Sequence, residues 1–445
     1  MEKNELHLKA PGNWINDPNG FIYYKEKYHL FYQHFPYAPV WGTMHWGHAV
    51  SDDLIHWEHQ AVALFPTKEY DQNGVFSGSA LEVDGKLYLY YSAVKYLEKD
   101  RENIHMAIND QFETSQAMII SEDGYHFDNW KEKKQIIPVN KDDNQAHPIH
   151  TRDPKVWKEG ETYYMVLGST YKEEAGRIVF YTSSDGKNWN FVSQTTDKKF
   201  GRIVECPDIF QINGADVFVG SFMGIGQAKE GYENHSVCGL IDFNSKDCAV
   251  TFKKDYQYID YGFDLYAPQT NLDKDGRRVM IAWMRMPKSV KEEKDREWNG
   301  IMCQPRVLDV KDGHVYFRVH PEVKKYFNTK IKNLDELNFS KPFCLKVKMK
   351  EGKRINIGGY QIWMEGKSVF TDRSVVFSSV AGYPLTGKSP VVPGSCSLDI
   401  FVDQNLIEVF INDGEYVISH VVYELNDFIE TDCFNEEEVL GYIHQ

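Results

Sequence analysis

The hydrophobic pattern of this chain is a series of short aromatic-aliphatic runs closed off by turns. Five such runs stand out: YHLFYQ (28–33), LYLYYS (87–92), YYMVLGS (163–169), VFVGSF (217–222) and VMIAWM (279–284). Each follows a turn-rich segment (KEK, DGK, KEGE, NGAD or KDGR), so each reads as the second strand of a hairpin. The spacing of roughly sixty residues suits propeller blades with long loops. A second pattern runs out of step with the first. Ser51-Asp52-Asp53 precedes Trp57, Ser121-Glu122-Asp123 precedes Phe127, and Ser183-Ser184-Asp185 precedes Trp189. Ser and Asp side chains bond the backbone of tight turns, and the aromatic residue then packs back on the blade.

These repeats predict an all-β chain: a five-bladed β-propeller over residues 1–318, a linker over 319–336, and a C-terminal β-sandwich over 337–445. The linker is the charged stretch HPEVKKYFNTKIKNLDE, expected to be part helix. Within 397–423 apolar and polar positions alternate between turns at Asp403-Gln404-Asn405 and Asn412-Asp413-Gly414, as in an antiparallel meander with one buried face. Composition agrees, since 42% hydrophobic and 14% aromatic residues supply large cores and favour strands.

A formal net charge of −15 argues against nucleic acid and anionic membranes as partners. No run is long enough for a transmembrane helix, and the start MEKNELHLKAPGNW lacks the apolar segment of a secretion signal. Seven scattered cysteines, an odd number without CxxC, suggest reduced thiols. The expectation is a cytoplasmic protein, in which the sequons at Asn234 and Asn338 are chance matches. Nothing in the sequence sets its oligomeric state, which leaves room for a homo-oligomer.

About ten residues before each aromatic run lie NDPNG, FSGSA, RDPKV, ECPDI and APQT. These would be the innermost strands, whose side chains meet in the central funnel. They bring Asp17, Ser77, Arg152 with Asp153, Glu205 and Gln269 together. Proline after Asp17, Asp153 and Cys206 suits an innermost strand with a free edge. A single Asp-Pro is usually a turn device, and Arg152-Asp153 alone could be a structural ion pair. Recurrence at one phase of the repeat, with different chemistry each time, lifts all three acids above those readings.

Paired carboxylates in one site are the equipment of glycoside hydrolysis, where environment must push their pKa values apart. Glu205, longest in reach and beside two other acids, is the expected carrier of the raised pKa. Asp17 and Asp153 are expected to be the ionised pair. Trp14, Trp41, Phe76 and Trp283 offer aromatic faces, and Asn16, Gln33 and Ser77 offer hydroxyl partners for a sugar. His45 and His48, three apart in a strand, face opposite ways and make a poor metal pair. Gly224-Ile225-Gly226 is too short for a phosphate loop, so no metal or organic cofactor is expected.

In this order, WINDPNG, FSGS, RDPK and ECPD resemble glycoside hydrolase family 32, the invertases, fructan hydrolases and sucrose-6-phosphate hydrolases. The resemblance extends to YHLFYQ, WGHAVSDDLIHW, DLYAPQT and FVDQNLIEVFINDGE, and so to nearly the whole chain. It implies a five-bladed propeller with a β-sandwich and no cofactor. It also implies Asp17 as nucleophile, Glu205 as general acid/base and Asp153 as the residue gripping fructosyl hydroxyls, with Arg152 beside it. Asn16, Gln33, Trp41, Phe76, Ser77 and Trp283 would line the fructose pocket. Departures at CQPRVL (303–308) and in the short C-terminal region fall away from the acids. The implied activity is retaining release of terminal β-D-fructofuranosyl groups from sucrose and short fructo-oligosaccharides. The alternatives are a sucrose-6-phosphate hydrolase, a fructosyltransferase, or a non-catalytic sugar-binding propeller.

Overall fold

A computed structural model describes residues 6–226, 233–292, 296–331, 333–377, 382–433 and 439–444. Five antiparallel sheets follow one another along the chain. Their innermost strands are Asn13–Tyr24, Gly74–Val83, Arg152–Glu159, Ile203–Ile212 and Leu265–Leu272. Each pairs outward with its aromatic run, then with a third and a fourth strand. Every innermost strand packs against those of the neighbouring blades, and the first meets the fifth, which closes a propeller. The joint is reinforced by Glu297–Asn299, which pairs in parallel with the start of the first innermost strand through Asn13↔Trp298 and Trp14↔Asn299.

The three S-x-D segments make the same turn. Ser51 Oγ accepts from the amides of Asp53 and Leu54 at 3.1 and 2.8 Å, while Asp53 Oδ1 accepts from Ile55 and His56 at 2.9 and 2.8 Å. Ser121 with Asp123, and Ser183 with Asp185, repeat the pattern. Trp57, Phe127 and Trp189 then pack on the blade cores.

Beyond the fifth blade, His320 caps a short helix, Pro321–Tyr326. A six-stranded and a five-stranded antiparallel sheet follow, and their facing sides form a separate apolar core of Leu345, Val347, Ile355, Ile362, Leu398, Ile400 and Val409 among others. The propeller and the sandwich meet through buried charge as well as apolar contact. Arg306 bonds Asp260 and Glu408 at 2.9 and 2.8 Å, and His7 lies 2.9 Å from both Asp403 and Glu408. Burial opposes a charge on His7, but the hydrogen bonds it donates to Asp403 and Glu408, with their negative charge, outweigh it and raise its pKa to about 9.

One irregularity recurs in all five innermost strands. Each breaks register with its neighbour at the same phase, between Ile15 and Pro18, Val75 and Gly78, Arg152 and Lys155, Glu205 and Asp208, and Tyr266 and Gln269. Such bulges turn a side chain away from the regular pleat. In the last three blades the bulged residue has positive φ and precedes proline: Asp153 (63°), Cys206 (47°) and Ala267 (52°). That backbone costs about 1–3 kcal/mol per residue. Each strained N–H is bonded to the preceding blade: Asp153 to Ser92 Oγ at 2.8 Å, Cys206 to Asp153 Oδ2 at 2.9 Å, and Ala267 to Ser221 Oγ at 3.1 Å. Close approach matters too. A Cβ on Gly78 of FSGS would fall 1.9 Å from the Tyr90 carbonyl oxygen.

Candidate active site

The five bulges surround one end of the central channel, where a cavity of about 500 Å³ opens. Asn16, Asp17, Gln33, Trp41, Phe76, Ser77, Arg152, Asp153, Glu205 and Trp283 all line it. Trp14 stands behind this wall, edge-on to Trp283 at 5.9 Å, and Gln269 lies deeper in the hub, buried.

Asp17 is held by a hydrogen bond on each of its oxygens. Ser77 Oγ donates to Oδ2 at 2.6 Å and Asn16 Nδ2 donates to Oδ1 at 3.1 Å. The amide of Asn16 is oriented in turn by Trp14 Nε1, 2.8 Å from its Oδ1. The Cys206 sulfur lies between two acids, 3.7 Å from Asp17 Oδ2 and 3.6 Å from Asp153 Oδ2. Burial and the surrounding carboxylates push this thiol well above its ordinary pKa, so it stays protonated and donates to one aspartate at a time.

Arg152, Glu205 and Tyr266 occupy equivalent positions in three successive blades and form a bonded arc. Arg152 donates through Nε and Nη2 to Glu205 Oε1 at 3.2 and 2.8 Å, and the Tyr266 hydroxyl donates to Oε2 at 2.6 Å. Arg152 therefore pairs with Glu205 and not with its chain neighbour Asp153. The bulge turns Asp153 away from its neighbour and toward Cys206, while Arg152 reaches across to the next blade.

The electrostatics also depart from expectation, because the two aspartates expected to be the ionised pair are pushed up. For Asp17 the chief cause is burial, opposed by Ser77 and reinforced by the charge of Glu205. For Asp153 burial again leads; Arg152 opposes it, and Glu205 and Asp17 add to it, raising the group to about 7. Sequence reasoning considered anionic neighbours of Glu205 but not the desolvation that the closed hub imposes on Asp17 and Asp153.

Tyr266, His150 and Arg202 also line the cavity and were missed. Tyr266 was legible in principle. It stands two residues before Pro268, as Arg152 and Glu205 stand before Pro154 and Pro207. Below the floor, Lys155 and Asp208, from the same RDPK and ECPD segments, form a buried ion pair at 3.0 Å, and Thr270 Oγ1 donates to Asp208 at 2.6 Å. His45 and His48 lie in one strand; His45 bonds the Thr43 carbonyl at 2.9 Å and His48 lies 3.0 Å from His29.

Comparison with known proteins agrees with this architecture. The profile "Glycosyl hydrolases family 32 N-terminal domain" matches residues 7–321, and "Glycosyl hydrolases family 32 C terminal" matches 316–443. A sucrose-6-phosphate hydrolase of Escherichia coli is 33% identical over 439 residues, covering 94% of this chain and 88% of its own. A raffinose invertase of Escherichia coli is 32% identical over 441 residues, covering 95% and 90%. Among solved structures, a family 32 β-fructofuranosidase of Bombyx mori superimposes with a TM-score of 0.80 at 27% identity, covering 100% of this chain and 94% of that one.

Proposed function

Because this chain belongs to glycosyl hydrolase family 32, we propose that it cleaves terminal β-D-fructofuranosides such as sucrose and short fructo-oligosaccharides, with the carboxylates of the hub as its machinery. It is a glycosidase acting on fructosides. The observation that most supports the residue roles is the meeting of Asp17, Asp153 and Glu205, from three separate blades, in one cavity.

Asp17 attacks the anomeric carbon of the fructosyl group while Glu205 gives a proton to the departing glycosidic oxygen. The C–O bond to the leaving sugar breaks as the bond to Asp17 forms, leaving a covalent fructosyl-enzyme. Glu205, now a base, takes a proton from water, which displaces Asp17 and releases fructose. Ser77 and Asn16 favour the ionised form of Asp17 that this attack needs. Tyr266 and Arg152 hold Glu205 in place through both oxygens. Asp153, its backbone fixed at positive φ, grips fructosyl hydroxyls and answers the positive charge that develops on the ring. Trp41, Phe76 and Trp283 offer faces to the sugar, and Gln33, anchored by Nε2 on the Val75 carbonyl at 3.0 Å, joins the polar lining.

The seven cysteines are buried and free, which supports a cytoplasmic site of action. Incubation with sucrose followed by a reducing-sugar assay tests the activity. Asp17→Asn and Glu205→Gln are each expected to fold and to lose at least three orders of magnitude in kcat. Near wild-type turnover in either variant would remove that residue from its role.

A further inference from the structure

We infer that Lys155, Asp208 and Thr270 form a clamp beneath the cavity floor that positions Glu205, and Arg152 and Tyr266 with it, for the reaction. This rests on the fructosidase reading above, because it takes Glu205 as the group that protonates the leaving oxygen. None of the three clamp residues lines the cavity, so each acts through the side chains above it.

Two rows of side chains sit on either side of the same three bulges. In the third, fourth and fifth blades regular pairing stops at Arg152, Glu205 and Tyr266 and resumes at Lys155, Asp208 and Gln269. On the cavity side, Arg152 and Tyr266 both bond Glu205. On the far side, Lys155 and Thr270 both bond Asp208. The Lys155 ammonium lies 3.0 Å from Oδ2, and the Thr270 hydroxyl donates to the same oxygen at 2.6 Å. The ammonium also donates to the Thr270 carbonyl, which closes a triangle across the three blades. Asp208 thus stands to Lys155 and Thr270 as Glu205 stands to Arg152 and Tyr266.

The strands between the two rows need such a clamp. Asp153, Cys206 and Ala267 hold φ between 47° and 63°. Strained backbone of this kind persists only where its surroundings over-determine it. A strand bonded on one side of its bulge alone could relax by slipping along its neighbour, which would carry Glu205 out of line. Bonded on both sides, it cannot. The choice of groups fits that task. A buried ion pair adds little stability, because desolvation offsets its attraction, but its directional bonds fix register. Lys155, Asp208 and Thr270 are 6%, 2% and 0% exposed, so water does not soften the geometry. Apolar side chains would fill the same space without fixing the height of one blade against the next.

The test separates position from stability. Thr270→Val keeps the shape of the side chain and deletes its hydroxyl; Thr270→Ser keeps the hydroxyl and deletes a buried methyl. Both are expected to melt below the wild type. In Thr270→Val, kcat on sucrose is expected to fall about ten- to hundredfold with KM changed less than about threefold, since a misplacement of about 1 Å costs about a hundredfold in rate. Thr270→Ser is expected to keep most of its kcat. Lys155→Met combined with Asp208→Leu refills the space with apolar groups, and should melt well above Lys155→Met alone yet turn over as slowly as Thr270→Val. Losses of kcat that follow melting temperature across these variants, or wild-type kcat in the double variant, would overturn the clamp and leave the fructosidase reading intact. If the wild type cleaves no fructoside, that reading falls, and crystal structures of the wild type and Thr270→Val test the clamp instead. Loss of the Tyr266 bond to Glu205 in the variant would sustain it, and an unchanged 2.6 Å separation would overturn it.

Discussion

Arg152 places two donors on a single oxygen of Glu205, Nε at 3.2 Å and Nη2 at 2.8 Å, across the gap between the third and fourth blades. The fork geometry belongs to guanidinium, and lysine cannot reproduce it. Arg152→Lys is therefore expected to lower kcat by about ten- to hundredfold while KM for sucrose changes much less. Steady-state kinetics check this; a loss confined to KM would place Arg152 in substrate binding alone.

Burial raises both Asp17 and Asp153, and the proposed chemistry needs Asp17 as its anion. Activity should accordingly fall on acidification at a pH above the ordinary carboxylate range of about 4. A kcat/KM profile in which the acid limb sits at or below that range would contradict the desolvated hub. Ser77→Ala removes the 2.6 Å donor to Asp17 and should move the acid limb further up.

The same shift bears on stability. Asp153 holds its proton to about 7 in the folded protein and to about 4 unfolded, so the folded state binds the proton more tightly. The stability this lends is fully present below the unfolded value and is lost as pH rises through about 7. Asp153→Asn should therefore stabilise the fold at pH of about 8, by something on the order of 2 kcal/mol, with the advantage fading as the pH falls. Thermal melts across pH measure it, and an advantage largest in acid would reverse the sign assigned here.

Lys155 and Asp208 are both buried beneath the cavity floor. Lys155→Met removes the ion-pair partner of buried Asp208, leaving it the Thr270 hydroxyl, and should cost about 3–5 kcal/mol. Adding Asp208→Leu should restore much of that loss, because the pair is removed together. Denaturant titration of the single and double variants measures the coupling, and additive losses would show that the two residues act independently.

At the joint between propeller and sandwich, His7 is raised to about 9 against an ordinary value of 6.5. Its contribution is complete below 6.5 and disappears as pH rises through about 9. The melting temperature should drop over that interval in the wild type, and much less in His7→Gln, which starts lower.

The sequence by itself determined the strands, their order and the phase at which the acids recur. Aromatic-aliphatic runs such as LYLYYS, turns such as Ser51 to Asp53, and X-Pro steps in the innermost strands are local information, written within a few residues. The recurring innermost-strand phase also pointed to Asp17, Ser77, Arg152 and Glu205 at the hub, but passed over Tyr266 at the same phase. What only the tertiary structure decided is which of these groups bond to which. The closing of the ring joins strands more than fifty residues apart, as when Arg152 finds Glu205 and the Ser77 hydroxyl finds Asp17. The positive φ at Asp153, Cys206 and Ala267 turns neighbouring residues in different directions, which no alternation rule anticipates. The pKa values are later still in this order. They depend on how completely water is shut out around Asp17 and Asp153, a property of the assembled hub and of no segment within it.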